Sequence, residues 1–305
     1  MRKAFVDTLC QLASDDPRIM LLTGDLGYMA LEPFRERFPQ RFLNAGVAEQ
    51  NMIGVATGLA EAGFRPYAYS IAPFASLRPF EFIRNGPVAH KLPVRIVGMG
   101  AGFEYGYSGW THYALEDIGA LRTLPGLTLA IPADSAQAAA AIRQTRDLPG
   151  PVYYSLGKDE TAPLPGLNGR FELGRAEVVR EGRDIALVAM GSISREAVAA
   201  ARKLAGHGIE AAVIVVSAFH PDPEEDLARI LAPFPHVVSV EAQTVSGGLG
   251  ALVSTVIATH GLSCRLRVLG VGTASDGTSG VPLERWRKYG LDEDSILAAA
   301  LCAVR

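Results

Sequence analysis

The sequence predicts an α/β protein made of two doubly wound domains. Apolar bursts of strand length alternate with amphipathic segments of helical period along most of the 305 residues. Because these bursts are apolar on both faces, they are typical of parallel strands that helices cover on both sides. One segment, 157–174, interrupts the alternation with Pro163, Pro165, Gly166 and Gly169. Such a stretch is typical of a linker and divides the chain into two domains, 1–165 and 175–305.

Each domain has its own series of alternating elements. In the first domain the pattern predicts strands at 19–23, 41–44, 65–69, 94–99, 127–132 and 152–155, and helices at about 3–14, 48–62, 74–87 and 134–146. In the second it predicts strands at 185–189, 211–216, 236–240 and 266–271, and helices at about 193–206, 222–232, 247–260 and 293–303.

Composition and charge exclude several classes of function. The 29 basic and 32 acidic residues nearly cancel, and no run of Lys or Arg indicates a nucleic-acid surface. Cys10, Cys264 and Cys302 lie far apart, which predicts neither a disulfide framework nor a zinc site and fits a reducing cytoplasm. No apolar window approaches the length of a membrane span. The expectation is a cytoplasmic protein that acts on small molecules.

The most informative segment is 42–52, which reads Phe-Leu-Asn-Ala-Gly-Val-Ala-Glu-Gln-Asn-Met. A short strand ends here in a turn at Gly46, and a helix with Met52 and Leu59 on its apolar face follows. Glu49 is thereby placed at the helix N-terminus, where free backbone N–H groups favour a carboxylate. By itself, this position is better explained by a glutamate that supports the first helical turn.

The segment 44–52 resembles the signature of the pyrimidine-binding domain in transketolases, 1-deoxyxylulose-5-phosphate synthases and 2-oxoacid dehydrogenase β chains. The resemblance covers essentially the whole chain: an acidic loop at 22–27 precedes the signature, and 69–85 and 109–112 follow it in the family's order. The chain is therefore identified as a member of the transketolase family. The resemblance implies a parallel-sheet pyrimidine-binding domain at 1–165, followed by a smaller, mixed-sheet C-terminal domain at 175–305.

The resemblance implies a cofactor, thiamine diphosphate, and a catalytic role for Glu49. In the family the matching glutamate hydrogen-bonds N1′ of the aminopyrimidine and favours its imino tautomer. The exocyclic nitrogen of that tautomer then removes the proton from C2 of the thiazolium ring. The protein's part is to hold a carboxylate in a largely apolar pocket, where its hydrogen bond is strong.

Three further residues resemble cofactor contacts of the family. Phe74 matches the aromatic residue that stacks on the aminopyrimidine, and Phe80 matches a nearby aromatic position, although an ordinary core role explains Phe80 equally well. Asp25 lies in the acidic loop after the first strand. Family members often carry another aromatic residue where this chain has Ile71, which predicts a looser pocket.

The resemblance also implies the substrate contacts. His112 follows the strand at 94–99 in a loop rich in glycine and aromatic residues, and it matches a histidine that contacts the substrate's hydroxyls and carbonyl. Ser108 stands where transketolases have an aspartate, and Trp110 replaces a proline. Lys158 stands where sugar-phosphate enzymes use an arginine, and a lysine pairs with phosphate as a point charge.

The sequence contains no Gly-Asp-Gly, the motif with which the family holds the divalent metal of the diphosphate; Gly24-Asp25-Leu26 lacks the second glycine. The expectation is therefore that no residue of this chain binds the metal. A separate N-terminal subunit would carry the diphosphate together with Mg²⁺ or Ca²⁺. Because the family's sites lie between two such units, a dimer of heterodimers is expected, with sugars or sugar phosphates as substrates.

Several interpretations share this cofactor. Ketol transfer from a ketose or ketose phosphate to an aldehyde is favoured by the loop Gly109-Trp-Thr-His112. Synthesis of deoxyxylulose phosphate and oxidative decarboxylation of a 2-oxoacid are the alternatives. A non-catalytic interaction module that keeps the fold is a further one, and the presence of both Glu49 and His112 argues against it.

We expect Glu49→Ala to abolish turnover of the assembled enzyme while the chain still folds, because the variant loses the carboxylate that activates the aminopyrimidine. Circular dichroism checks the fold, and a coupled assay of ketol transfer checks the activity. Near-normal turnover by this variant would contradict the assignment.

Overall fold

The structure is a computed structural model, and it describes residues 1–158, 160, 162–273 and 277–304. Two sheets, of seven and five strands, form the centres of two α/β domains. Four inner strands are buried along their whole length because helices cover both faces of each sheet: Arg95–Met99, Val152–Leu156, Ile185–Met190 and Ala211–Val216. This confirms the predicted fold class. In the part of the chain that is described, no helix is long and apolar enough to span a bilayer.

The first domain contains six strands and seven helices among its described residues. The strands are β1 (Ile19–Thr23), β2 (Phe42–Asn44), β3 (Arg65–Ile71), β4 (Arg95–Met99), β5 (Thr128–Ala130) and β6 (Val152–Leu156). The helices are α1 (Arg2–Asp15), α2 (Glu32–Arg37), α3 (Glu49–Glu61), α4 (Ala72–Ser76), α5 (Phe80–Ile83), α6 (Asp117–Leu121) and α7 (Ser135–Thr145). All six strands run parallel, in the order β5-β6-β4-β3-β1-β2.

The second half of the chain supplies the remaining elements. Its strands are β7 (Ala176–Arg180), β8 (Ile185–Met190), β9 (Ala211–Val216), β10 (Ala218–Phe219), β11 (His236–Thr244) and β12 (Arg265–Val271). Its helices are α8 (Ser194–Ala205), α9 (Glu224–Leu231), α10 (Leu249–Thr259), α11 (Pro282–Lys288) and α12 (Glu293–Ala303). The five-stranded sheet has the order β12-β11-β8-β9-β7 and is mixed, because β7 runs antiparallel to β9.

The expectation of one continuous helix at 74–87 is wrong. The segment forms α4 and α5, with Pro79 between them, and then a π-helical turn at Arg84–Val88 that contains Pro87. A proline lacks the N–H that a helix interior requires, and its ring clashes with the preceding turn. The break matters for the site because Phe74 lies within α4 whereas Arg78 lies in the turn that follows α4, and the two side chains contact each other.

The predicted linker packs closely against both domains. Leu164 and Leu167 are buried in the apolar core of the second domain, whereas Phe171 is buried in that of the first. The backbone N–H of Leu164 donates to Asp134 Oδ2 at 2.6 Å, and Gln137 Nε2 donates to the carbonyl of Arg170 at 2.7 Å. The proline- and glycine-rich stretch is therefore an anchored connection.

The glycine-rich turn before α10 is tied to a buried carboxylate. Glu241 accepts the backbone N–H groups of Leu249 and Gly250, both at 2.8 Å, and so caps the first turn of α10. Burial raises the pKa of Glu241 to about 7. An added Cβ at Gly248 would lie 1.8 Å from the Glu241 carboxylate, so only glycine permits this approach.

Arg122 joins the two domains. Its Nη1 donates to the carbonyls of Gly247 and Gly248 and its Nη2 to Asp222 Oδ2, all at 2.9 Å. Its guanidinium also lies 4.4 Å from the ring centroid of Phe219, which belongs to β10. The second domain's β10 pairs antiparallel with β5 and completes the first sheet as its seventh strand. The two halves are thus joined by both a shared sheet and a multiply bonded cation.

We expect Arg122→Ala to lower the free energy of unfolding by about 2–4 kcal/mol, because it strips partners from two carbonyls and a half-buried carboxylate. Urea unfolding monitored by circular dichroism measures the change. Arg183→Ala, on a side chain that is 81% exposed, is the control and should change stability by less than about 0.5 kcal/mol. Equal effects of the two variants would show that Arg122 does not join the domains.

Candidate active site

The candidate site lies at the carboxyl edge of the first sheet, where β1, β2, β3 and β4 end. In open parallel sheets, ligands bind at this edge. The chain turns sharply after β2, where Gly46 has a φ of +72°, a conformation that disfavours other residues. α3 then begins at Glu49, so the sequence-predicted position of this residue at a helix start is confirmed.

Glu49 is a buried carboxylate held by two neighbours. Its side chain is only 4% exposed, and its Oε1 lies 3.5 Å from Ser70 Oγ on β3. Arg78 Nη1 lies 3.1 Å from each of its two oxygens. The backbone N–H groups of the helix N-terminus and the Arg78 guanidinium thus place donors around this carboxylate in a mostly closed pocket.

Phe74 is the centre of a row of ring contacts. The Arg78 guanidinium lies 3.8 Å from the Phe74 ring centroid, and the His112 imidazole meets Phe74 edge to face at 5.1 Å. Tyr105 lies 6.0 Å from His112, and Lys158 Nζ lies 5.2 Å from the Tyr105 ring. The fold thus brings these residues together with Glu49, although 109 positions separate Glu49 from Lys158 in sequence.

His112 has a depressed pKa. Its desolvation comes first among the causes and the nearby Arg78 cation second, and both disfavour the imidazolium. Its Nδ1 lies 2.9 Å from Thr111 Oγ1. At neutral pH the imidazole is therefore uncharged, and it carries one hydrogen-bond donor and one acceptor. Because Thr111 engages Nδ1, the remaining Nε2 can hydrogen-bond either a hydroxyl or a carbonyl, depending on the tautomer.

Asp25 lies at the rim of the site in a strained turn. Its φ is +58°, and its Oδ1 accepts from Asn44 Nδ2 and from the Tyr28 hydroxyl, both at 2.9 Å. These two hydrogen bonds lower the pKa of Asp25. Asn44 Oδ1 in turn accepts the backbone N–H groups of Asp25 and Gly46 at 3.0 Å. This network fixes the loop that leads to Glu49; a direct cofactor contact by Asp25 stays a prediction.

Phe80 and Ser108 lie further from the centre. Phe80 begins α5 and packs half-buried against the core of the first domain. Among the described residues, the ring contacts of Phe74 are with Arg78 and His112, and Phe80 is not one of them. Ser108 is exposed and ends a single helical turn just before Gly109, whose φ is +75°. The predicted cofactor role of Phe80 and substrate role of Ser108 stay predictions.

A buried polar cluster lies beneath the His112 loop. Asp117, the first residue of α6, is fully buried, and its Oδ2 accepts from the hydroxyls of Tyr153 at 2.8 Å and Ser155 at 3.2 Å. Burial raises the pKa of Asp117 to about 6. Gly98 on β4 makes room for the tyrosine, because a Cβ there would lie 2.4 Å from its hydroxyl. The cluster fixes the start of α6 against β4 and β6.

The sequence analysis missed two of these residues. Arg78 was part of the aromatic segment 69–85 but was given no role, since its contact with Glu49 spans 29 positions. At Asp117 the local sequence shows only a carboxylate close to the start of a helical segment. Its full burial depends on β6, which lies far along the chain, so a local pattern could not reveal it.

The residues of the site match part of what a thiamine cofactor requires. A buried carboxylate beside an aromatic face fits an aminopyrimidine, which needs one acceptor at N1′ and a flat apolar neighbour. Over the described ranges, no group of three or more His, Cys, Asp or Glu side chains converges as metal ligands would. The residues thus fit one end of that cofactor.

Comparison with known protein families decides the identity. Residues 1–163 match the transketolase pyrimidine binding domain, and residues 174–296 match the transketolase C-terminal domain. The chain belongs to the transketolase family. As a transketolase-family chain it has both domains in the order that the sequence analysis proposed.

Some relatives in the transketolase family have a length similar to that of this chain. A putative transketolase C-terminal section of Methanocaldococcus jannaschii is 36% identical over 97% of this chain and 93% of its own. A 6-deoxy-6-sulfo-D-fructose transketolase subunit of a Clostridium species is 36% identical over 98% of this chain and 93% of its own. The solved structure of a split gene transketolase, an inactive beta4 tetramer, has 35% identity and a TM-score of 0.87, covering 99% of this chain and 97% of that one.

We expect the buried Asp117 to make stability depend on pH. Its folded pKa of about 6 exceeds the ordinary value of 3.8, so the folded state binds the proton more tightly and loses stability as pH rises from about 4 to 6. Relative to Asp117→Asn, the wild type should lose on the order of 2–3 kcal/mol across that window and stay level above it.

Urea unfolding between pH 4 and pH 8 measures this difference. Asp15→Asn, on an exposed side chain of α1, is the matched control and should leave the pH profile of the wild type unchanged. A constant difference between wild type and Asp117→Asn at every pH would contradict a raised pKa.

Proposed function

We propose that this chain is the pyrimidine-binding half of a thiamine diphosphate-dependent transketolase. The reaction transfers a two-carbon ketol unit from a ketose or ketose phosphate to an aldehyde. The observation that carries the proposal is Glu49, a carboxylate that is 4% exposed at a helix start and adjoins the ring of Phe74 through a shared neighbour, Arg78. An acceptor and an aromatic face in this arrangement suit an aminopyrimidine.

Each residue of the site has a distinct task in this proposal. Thiamine diphosphate, when bound, would supply the nucleophilic carbon and the electron sink that ketol transfer requires. Glu49 accepts a hydrogen bond from N1′ and so favours the imino tautomer, while Phe74 holds the ring by stacking. The carboxylate acts in a buried site, where its interaction with the ring is stronger than in water.

His112 is the proposed substrate contact. Its neutral imidazole can donate to a carbonyl or accept from a hydroxyl, and its edge-to-face contact with Phe74 places it beside the cofactor's ring. Lys158, at the far end of the same row of rings, supplies a positive charge for an anionic group at the distal end of the substrate. Ser108 replaces the family's aspartate, which suggests a sugar other than the common donors.

The diphosphate and its Mg²⁺ or Ca²⁺ are assigned to a separate subunit. Two observations support this: the sequence has no Gly-Asp-Gly, and the relatives of similar length include one named as a subunit and one as a C-terminal section. The active form is proposed to be a dimer of heterodimers in the cytoplasm, in which each site is completed across a subunit interface.

Reconstitution tests the proposed function. The chain should show no ketol transfer alone with thiamine diphosphate and Mg²⁺, and should become active when mixed with a chain that carries Gly-Asp-Gly and is encoded beside it. The substrates are a panel of ketoses and ketose phosphates with an aldehyde acceptor, and aldose release is measured. His112→Ala should lower kcat/KM by about 10- to 1,000-fold, because the substrate loses a hydrogen-bonding partner in the transition state.

The control is His260→Ala, which changes an exposed histidine at the end of α10 and should leave kcat/KM at the wild-type value. Robust ketol transfer by the pure isolated chain would contradict the division between two subunits. Failure of every donor with an assembled, cofactor-loaded complex would contradict the reaction class.

A further inference from the structure

Arg78 makes the two contacts that the proposed function assigns to the aminopyrimidine. Its Nη1 donates to both carboxylate oxygens of Glu49 at 3.1 Å. Its flat guanidinium lies over the Phe74 ring, 3.8 Å from the centroid. A guanidinium is a planar N–C–N group with N–H donors at its edge, as is the protonated amidine portion of an aminopyrimidine. The two groups therefore compete for the same acceptor and the same aromatic face.

Both groups cannot occupy this place together. A separation of 3.8 Å between the guanidinium carbon and the ring centroid is one layer of van der Waals contact, so no second flat group fits between them on that face. Glu49 is 4% exposed, so most of its surroundings are already filled by protein. A ring that bonds Glu49 and stacks on this face of Phe74 must first displace the guanidinium.

We propose that the Arg78 guanidinium is a stand-in for the aminopyrimidine: it occupies the ring's place against Glu49 and Phe74. When the cofactor's ring binds, the guanidinium leaves both residues. This inference rests on the proposed function, because it takes Glu49 and Phe74 as the pyrimidine contacts. In the exchange, one hydrogen-bonded planar group replaces another and no covalent bond changes. The guanidinium moves towards solvent at the mouth of the site.

The local structure permits this movement of the side chain alone. The Arg78 side chain is 47% exposed, so a path to water is open. Its backbone is held: the N–H lies 3.4 Å from the Pro73 carbonyl, Gln50 Nε2 lies 3.4 Å from the Arg78 carbonyl, and buried Pro79 follows. A long flexible side chain on a fixed backbone can exchange without disturbing α4 or Phe74.

The strength of the contacts suits a displaceable occupant. A half-exposed ion pair and a cation–π contact of an exposed arginine are each weak, because water screens and solvates the cation. Only chains in which Arg78 has left Glu49 can bind the ring, so the apparent affinity falls in proportion to the fraction of such chains. If that fraction is about one tenth, the apparent affinity is roughly tenfold lower. A buried carboxylate without a cationic partner is costly in free energy, and Arg78 provides that partner to Glu49 while the ring is not bound.

The exchange also alters the surroundings of His112. Arg78 is one of the two causes that lower the pKa of this imidazole, so its departure removes a cation from beside the substrate contact. Cofactor binding thereby changes the charge around His112 before substrate enters.

Binding of thiamine by the full isolated chain tests the exchange. Thiamine has the aminopyrimidine but no diphosphate, so it needs neither metal nor partner subunit, and NMR signals of its pyrimidine protons report binding. Arg78→Ala should bind thiamine roughly tenfold more tightly than wild type, because no guanidinium competes for Glu49. The control Arg143→Ala, on an exposed arginine of α7, should bind like wild type.

Glu49→Gln in the Arg78→Ala background separates this inference from the proposed function. If Glu49→Gln weakens thiamine binding but Arg78→Ala does not strengthen it, the exchange is overturned and the pyrimidine site stands. If Glu49→Gln changes binding in neither background, Glu49 does not bind the aminopyrimidine and the proposed function fails along with the inference.

A double-mutant cycle on thermal unfolding provides a readout without ligand. Arg78→Ala and Glu49→Gln should be non-additive in the ligand-free chain, because the two side chains contact each other. Saturating thiamine should make Arg78→Ala neutral or stabilising relative to wild type, since the ring has already displaced the guanidinium. Additive effects without ligand would overturn the inference, because the side chains would then not be paired in solution.

Discussion

The burial of a charged carboxylate at the start of α3 is the constraint around which this site is organised. An isolated ion in a closed pocket is costly unless hydrogen bonds and an opposite charge offset it. At Glu49 these come from the helix N-terminus, from Ser70 on β3 and from Arg78 in the turn after α4. Three separate segments of the chain must therefore meet with correct geometry before the carboxylate can be buried at all.

The sheet explains why they meet. Because β1 to β4 are parallel and adjacent in the sheet with β6, their carboxyl ends lie along one edge, and every loop that leaves this edge starts within reach of the others. The loop after β1 is bonded to the loop after β2 through Asp25 and Asn44. The loop after β4 carries His112 to the ring of Phe74. Parallel topology thus converts positions that are distant in sequence into neighbours.

The sequence predicted what depends on local pattern and on family signature. Alternating apolar bursts were enough for two α/β domains, and Gly46 followed by an amphipathic run was enough to place Glu49 at a helix start. The prediction of one helix at 74–87 was wrong because it gave more weight to the apolar spacing than to Pro79, which separates α4 from α5. The roles of Arg78 and Asp117 were not predicted, because their partners lie 29 and 36 or more positions away and no local pattern encodes such contacts.

The pairing of β10 with β5 determines where this chain can be divided into independent parts. β10 comes from the second half of the chain but pairs with β5 at the outer edge of the first sheet. A fragment cut at the linker would leave that edge with unpaired N–H and carbonyl groups, which invite pairing between chains. The two domains that sequence families distinguish therefore share one sheet in this chain. Shuffling either domain alone into another protein would carry an aggregation risk that the domain boundaries do not reveal.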